Sequence, residues 1–287
     1  MRDAPNFQLK AARVEAFPIF RPVVRGLELL AETASSHPKR LAALLSLDPS
    51  CTAKVLRAAN ASGFGSRKAT CVEEALDMLG PSSVRSCIAS LMDAAHEQRL
   101  ADVPRFDLFR WWTHCTATAF AASHLAEALH TDKPVEAFTL GMLHEIGVAA
   151  LYLLAPEELN AAIELSETES LIVHGCERHC IGEDSRELGA AIVQSWRLPD
   201  ALTPVVRYHG QPGEAPEEEY AVAALLFLAN LCAERAGFGH PWFTKFEELA
   251  PEVLARTQVE MPALERAKEV AKHGVAAAAK ALLPRAA

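Results

Sequence analysis

Little in this chain suits a β-sheet, a membrane or a disulfide framework. Only 7% of its 287 residues are aromatic, and runs of β-branched residues are scarce, so strands are disfavoured. The longest unbroken apolar run, Ala221 to Ala229, falls well short of the ~20 residues a bilayer-spanning helix requires. The N-terminal stretch MRDAPNFQLKAARVEAF lacks the continuous apolar segment of a secretory signal. Seven scattered cysteines, an odd number, read as reduced thiols, and the expected address is the cytoplasm, away from any membrane. Positive charge is also short: 28 Lys and Arg against 37 Asp and Glu give a net charge of −9. Such a body repels phosphate backbones, and no basic patch offsets it, so nucleic acid is not an expected partner. A glycine-rich phosphate loop, a nucleophile elbow and a paired-carboxylate arrangement are all missing.

What the chain does have is helix. It carries 52 alanines, the best intrinsic helix former, and its turn residues fall where helices start and stop. Asp48-Pro49 reads as an N-cap followed by proline at the first helical position. GFGS (63–66) is a glycine turn. Thr70 with Glu73 forms a capping box, Gly80 supplies a left-handed end, and Pro81 starts the next helix. Asp107 caps a long helix through WWTHCTATAF. Pro134 opens VEAFTLGMLHEIGVAALYLL as a single helix, and Pro156 opens another. Asp184 and Glu187 form a second box, and Pro199 opens DALTPVVRYHG. Pro216 to Gly237 is one helix, and an amphipathic helix from Pro262 to Leu283 closes the chain. The fold class is all-α, with the short connections of a helical bundle.

His114, His144, Glu145, His209 and Asn230 stand out as polar groups on apolar helices. Polar side chains on facing helices are how bundles build metal sites, although an isolated histidine on such a helix is more often a hydrogen-bonded core residue. The cluster His174, Cys176, His179 and Cys180 offers soft ligands, but one helix cannot wrap a tetrahedron and no second knuckle is present. Buried or partly exposed reduced thiols are the simpler reading. Trp111 and Trp112 point about 100° apart on one helix, with a buried pair as the default. Thr70 to Ala95 has the outline of a helix-turn-helix. Its second helix offers only Ser82, Ser83, Arg85 and Ser86 before Asp93, which is poor chemistry for reading base edges.

Five segments in order resemble the HDOD family, the HD-related output domains of the HD superfamily. They are DPSCTAKVLRAANASGFG, TCVEEALDMLGPSSVRSCIAS, TLGMLHEIGVAAL, ERHCIGEDSRELGAAIVQSWRLPDALTPVVRYHG and LLFLANLCA. The resemblance implies an N-terminal helical bundle (20–103) packed on an HD-like bundle (104–235). Residues 1–19 form a lead-in, and 236–287 form a C-terminal helical extension. It also implies a bacterial regulatory protein rather than a catalyst. HD enzymes hold a divalent metal with His, a His-Asp doublet and a distant Asp. By motif, His114 stands at the first histidine and His144 at the doublet histidine, with Glu145 replacing the doublet aspartate and Asn230 at the final aspartate. Ser185 sits where many relatives carry histidine, and the G-Y-P signature of cyclic-di-GMP phosphodiesterases is absent after His209.

These departures weaken a hydrolytic centre. The ligand set loses one of its two negative charges, and glutamate is a methylene longer than the aspartate it replaces. The expectation is therefore a non-catalytic signalling protein without metal or cofactor, acting through a protein partner or a small effector. The groove between the two bundles is the natural binding surface. A divergent metal-dependent phosphohydrolase is the alternative, and a DNA-binding regulator is the second. The four positions His114, His144, Glu145 and Asn230 are expected to meet in space.

Overall fold

The first layer of structure follows from the caps. In the computed structural model, which describes residues 10–11, 14–31, 37–61, 67–97, 101–131, 133–169, 171–239 and 249–282, every regular element is a helix. The GFGS turn lies outside the described residues. The N-terminal part comprises α1 (Arg21–Ala31), α2 (Pro38–Ser46), α3 (Pro49–Ala61) and α4 (Val72–Glu97). Asp48 caps α3 as expected, its Oδ1 accepting from the Cys51 amide at 2.9 Å. At α4 the reach-back acid is Glu74 rather than Glu73: its Oε2 accepts from the Thr70 amide at 2.9 Å. Gly80, at φ 70°, kinks α4 just before Pro81. A side chain is strained at that positive φ, which is why glycine sits there.

The second part holds α5 (Leu108–Ala128), α6 (Pro134–Leu143), α7 (Ile146–Leu154), α8 (Pro156–Glu169), α9 (Val173–Ile181), α10 (Ser185–Ser195), α11 (Leu202–Tyr208) and α12 (Glu217–Arg235). After these come α13 (Pro251–Thr257) and α14 (Met261–Leu282). Asp107 caps α5 through the Phe109 and Arg110 amides. Asp184 caps α10 through the Glu187 amide at 3.1 Å, while the Glu187 carboxylate turns outward to Arg207 instead of closing the box. Pro199 lies in the turn before α11, which begins three residues later than its proline suggests.

The apolar stretch Pro134–Leu154 is one run by composition but not one helix. It breaks at His144-Glu145, between α6 and α7. The Gly141 carbonyl, which a continuous helix presents to the Glu145 amide, accepts from the His144 ring at 2.7 Å. The stretch is long and apolar enough to register as a candidate span, and 83% of its most apolar window is buried inside the protein. A core position accounts for that hydropathy.

The two parts share one apolar core. Trp111 and Trp112 are both buried, so neither is offered to a partner. The Trp112 indole donates to the Leu47 carbonyl at 2.7 Å and stacks on Phe20 at 4.5 Å. Phe17 packs on Trp196, whose ring also carries the Arg57 guanidinium 4.5 Å from its centroid. Two bare glycines set the close approaches that build the interior. A Cβ on Gly141 would lie 2.6 Å from the Ala119 Cα, so α6 sits hard against α5. One on Gly147 would lie 1.7 Å from the Ser185 carbonyl oxygen, so α7 sits hard against the start of α10.

Candidate metal centre

The first of these approaches delivers His114, from the middle of α5, to His144 at the α6–α7 break. Both rings are buried, and their Nε2 atoms stand 3.2 Å apart. His209, the C-terminal cap of α11, sets its ring edge-on to His144 with centroids 5.0 Å apart. Its Nε2 is 3.9 Å from Glu145 Oε1. Burial pushes the Glu145 carboxyl above its ordinary range, and the charges of His114, His209 and His174 pull the other way. Ligand atoms of His114, His144 and Glu145 all lie within 4.8 Å of one another, the only such His/Cys/Asp/Glu group among the described residues.

The outer nitrogens decide what this cluster can accept. His114 Nδ1 donates to the Phe238 carbonyl (2.8 Å), His144 Nδ1 to Gly141 (2.7 Å) and His209 Nδ1 to Val205 (2.9 Å). A carbonyl oxygen only accepts, so each neutral ring carries its proton on Nδ1 and turns the Nε2 lone pair inward. The Nε2 atoms of His114 and His144, 3.2 Å apart, are spaced as two ligands of one cation can be. Backbone acceptors holding the far nitrogen are also the usual support of a metal-ligating histidine. The donor set therefore fits a divalent ion at His114, His144 and Glu145, with one carboxylate rather than two.

Asn230 is buried on α12, but its amide nitrogen donates to Glu234 Oε1 one turn on, at 3.3 Å. Its Oδ1 has no hydrogen-bond partner. The structure brings His114, His144, Glu145 and His209 together, and the amide nitrogen of Asn230 engages a buried acid that the sequence did not single out. Glu177 was missed in the same way. Fully buried on α9, it accepts from the Ser185 amide and hydroxyl at 2.8 Å each and lies 3.3 Å from His174 Nδ1. Cys176 is buried and Cys180 half-buried, both thiols pushed up by burial, and His179 faces solvent, so the H-x-C-x-x-H-C cluster does not converge. His174 instead joins Ser185, Arg186 and His209 around a small cleft above His144 and Glu145. That cleft holds about 10 Å³, room for roughly one water.

His114 lies mid-helix on α5, while His144 and Glu145 stand at the α6–α7 break beside the capped start of α10. Residues 17–212 match the HDOD domain family. The chain belongs to the HDOD family. Among solved structures this HDOD protein is similar to the MmoQ response regulator of Methylococcus capsulatus. The two share 24% identity over 89% of this chain and 99% of that one, with a TM-score of 0.70. A Shewanella amazonensis protein named as a candidate phosphohydrolase shares 24% identity over 98% and 99% of the two chains, with a TM-score of 0.55. At such identities the likeness is one of fold. A curated relative, an uncharacterized protein of Treponema pallidum, is 23% identical over 223 residues. The match takes in 77% of the HDOD chain and 43% of that relative, so the chain spans less than half its length.

Proposed function

We propose that this HDOD protein is a bacterial signalling or regulatory component that acts by binding a protein partner or a small effector, not by turnover. The observation that carries this reading is the closure of its histidine cluster. His114, His144, Glu145 and His209 are all buried, and the cleft above them, about 10 Å³, has no room for a phosphate ester. The ligand chemistry points the same way, because Glu145 brings a single negative charge and Asn230 only a neutral amide. DNA recognition has less support: the exposed face that opens the second half of α4 presents Ser82, Ser83, Arg85 and Ser86, with one cation among them.

The second reading, a divergent metal-dependent phosphohydrolase, is favoured by the three inward-turned Nε2 atoms. In it His114, His144 and Glu145 would hold the ion, which would supply Lewis acidity for phosphoester hydrolysis. His209, 3.9 Å from Glu145, would exchange protons in the cleft. Metal analysis of the purified protein and an assay with bis(p-nitrophenyl) phosphate plus Mn²⁺ or Mg²⁺ separate the two readings. The regulatory reading expects no nitrophenol release, with or without bound metal. Metal-dependent release that disappears in His144→Ala would replace it with the second.

A further inference from the structure

A large surface cavity lies neither at the histidine cluster nor between the two bundles. It holds about 640 Å³ at the surface formed by α8, α9 and the start of α10. The two pockets between the N-terminal part and the helices behind it hold about 240 and 400 Å³. A volume of 640 Å³ is ordinary for a small-molecule site.

The walls of this cavity divide by chemistry. On one side stand Leu171 and Ile172, 53% and 61% exposed, among the few large apolar side chains the fold leaves in water. On the other stand Arg178, Arg186, His174 and Gln211, and no carboxylate among the described residues lines the space. The local acids sit behind this wall. Asp184, 3% exposed, pairs with both Arg178 and Arg186, and Glu177, fully buried, sits beneath His174. Burial works against ionisation of Asp184, but the Glu187 amide and the charges of Arg186, His174 and Arg178 hold its carboxyl below the usual range. One anion thus serves two guanidiniums. Arg186 is held further by its Nη1 bond to Gln211 Oε1 at 3.1 Å. Each guanidinium has five N–H donors, so both retain donors beyond those engaged from behind, in orientations already fixed. Preset donors of this kind lower the ordering cost of holding an anion.

We propose that this cavity is a binding site for a small organic anion, its phosphate or carboxylate head on Arg178 and Arg186 and its apolar body on Leu171 and Ile172. The proposal deepens the regulatory reading and rests on it in one respect: the ligand is held, not cleaved. His174 and Arg186 line both this cavity and the cleft above Glu145, so an occupant touches side chains that border the histidine cluster.

Titration calorimetry on the full chain tests this with phenyl phosphate and phenylacetate, and with inorganic phosphate, acetate and benzyl alcohol as half-ligands. Saturable binding of phenyl phosphate or phenylacetate, at least tenfold tighter than either corresponding half-ligand, is expected, and the better of the two identifies the head group. Arg178→Gln and Ile172→Asp, both at exposed positions, should each weaken that binding tenfold or more. Arg256→Gln, on the distant α13, should not. Binding of neither organic anion at millimolar concentration overturns the proposal, as does binding indifferent to Arg178→Gln and Ile172→Asp, or inorganic phosphate binding as tightly as phenyl phosphate. Phosphate released from bound phenyl phosphate in the same samples would sink the regulatory reading while leaving the site standing.

Discussion

Asp48 ties two parts of the chain together with one side chain. Its Oδ1 caps α3 through the Cys51 amide, and its Oδ2 accepts from the Phe20 amide at 2.9 Å, pinning the segment before α1 to the core. It does this while almost fully buried, and burial raises its pKa to about 6 against the opposing pull of those amides. The sign follows from linkage. A carboxyl whose folded pKa lies above its unfolded value of 3.8 binds protons better when folded. Its favourable contribution is complete below pH 3.8 and is lost as the pH rises through about 6. Urea denaturation at pH 4.5 and at pH 7 should therefore show a component of stability that falls with rising pH. In Asp48→Asn, less stable overall through the lost acceptor, that component should vanish. An unchanged pH dependence in the variant would assign the slope to other groups. Asp48 and Asp107 were legible in the sequence because a cap has a position: a short acid immediately before a helix. Glu177 and Glu234 were not, because a glutamate inside a helix reads the same whether it faces solvent or a buried amide or hydroxyl. Only the packing of α9 on α10, and the side-chain pairing within α12, reveals them.

The close approach of α7 and α10 is the element-scale feature on which the cluster most depends. Gly147 lies two residues after Glu145, and any Cβ there meets the Ser185 carbonyl at 1.7 Å, with the Gly189 amide nitrogen 2.8 Å away. Backbone cannot swing aside as a side chain can, so Gly147→Ala must part the two helices. A cost of about 3 kcal/mol is expected, at the upper end of overpacking penalties. Gly213→Ala, where nothing lies within 4 Å of the new Cβ, should stay within about 0.5 kcal/mol of the parent protein. Chemical denaturation of both variants checks this, and a Gly147→Ala protein as stable as the Gly213→Ala control would show that the approach is slack. The helix classes and most of their starts were readable from caps and prolines. The break at His144 was hidden because VEAFTLGMLHEIGVAALYLL has uniform helical character, and what ends α6 is a side chain returning to the Gly141 carbonyl. That break is also what faces His144 toward His114, so periodicity gave the residues of the site without giving its geometry.

At the scale of the whole molecule the closing helix belongs to the interior. α14 packs along α5 and α12, the two helices that carry His114 and Asn230, and buries Leu264, Val275 and Leu282 together with four small residues. The bare Gly274 takes the Phe120 ring against the helix backbone, its absent Cβ falling 2.3 Å from the ring. The Cys232 thiol of α12 donates to the Leu264 carbonyl at 3.5 Å, under burial that pushes it up to about 12. Burying one Leu or Val side chain contributes about 1.5–3 kcal/mol, so the three large ones alone reach about 4.5–9 kcal/mol. That is a large share of the ~5–15 kcal/mol by which a domain is stable. A chain ending after Gln258 should therefore lose its single sharp thermal transition, or melt at least 15 °C lower, when followed by far-ultraviolet circular dichroism. It should also elute early on size exclusion, as the stripped face of α5 associates. Uncovering α5 loosens the support of His114, so the same truncation should abolish whatever divalent metal the full chain retains. A truncated protein that melts as the parent does, with its metal content unchanged, would make α14 an appendage and leave the histidine cluster to the helices within residues 17–212.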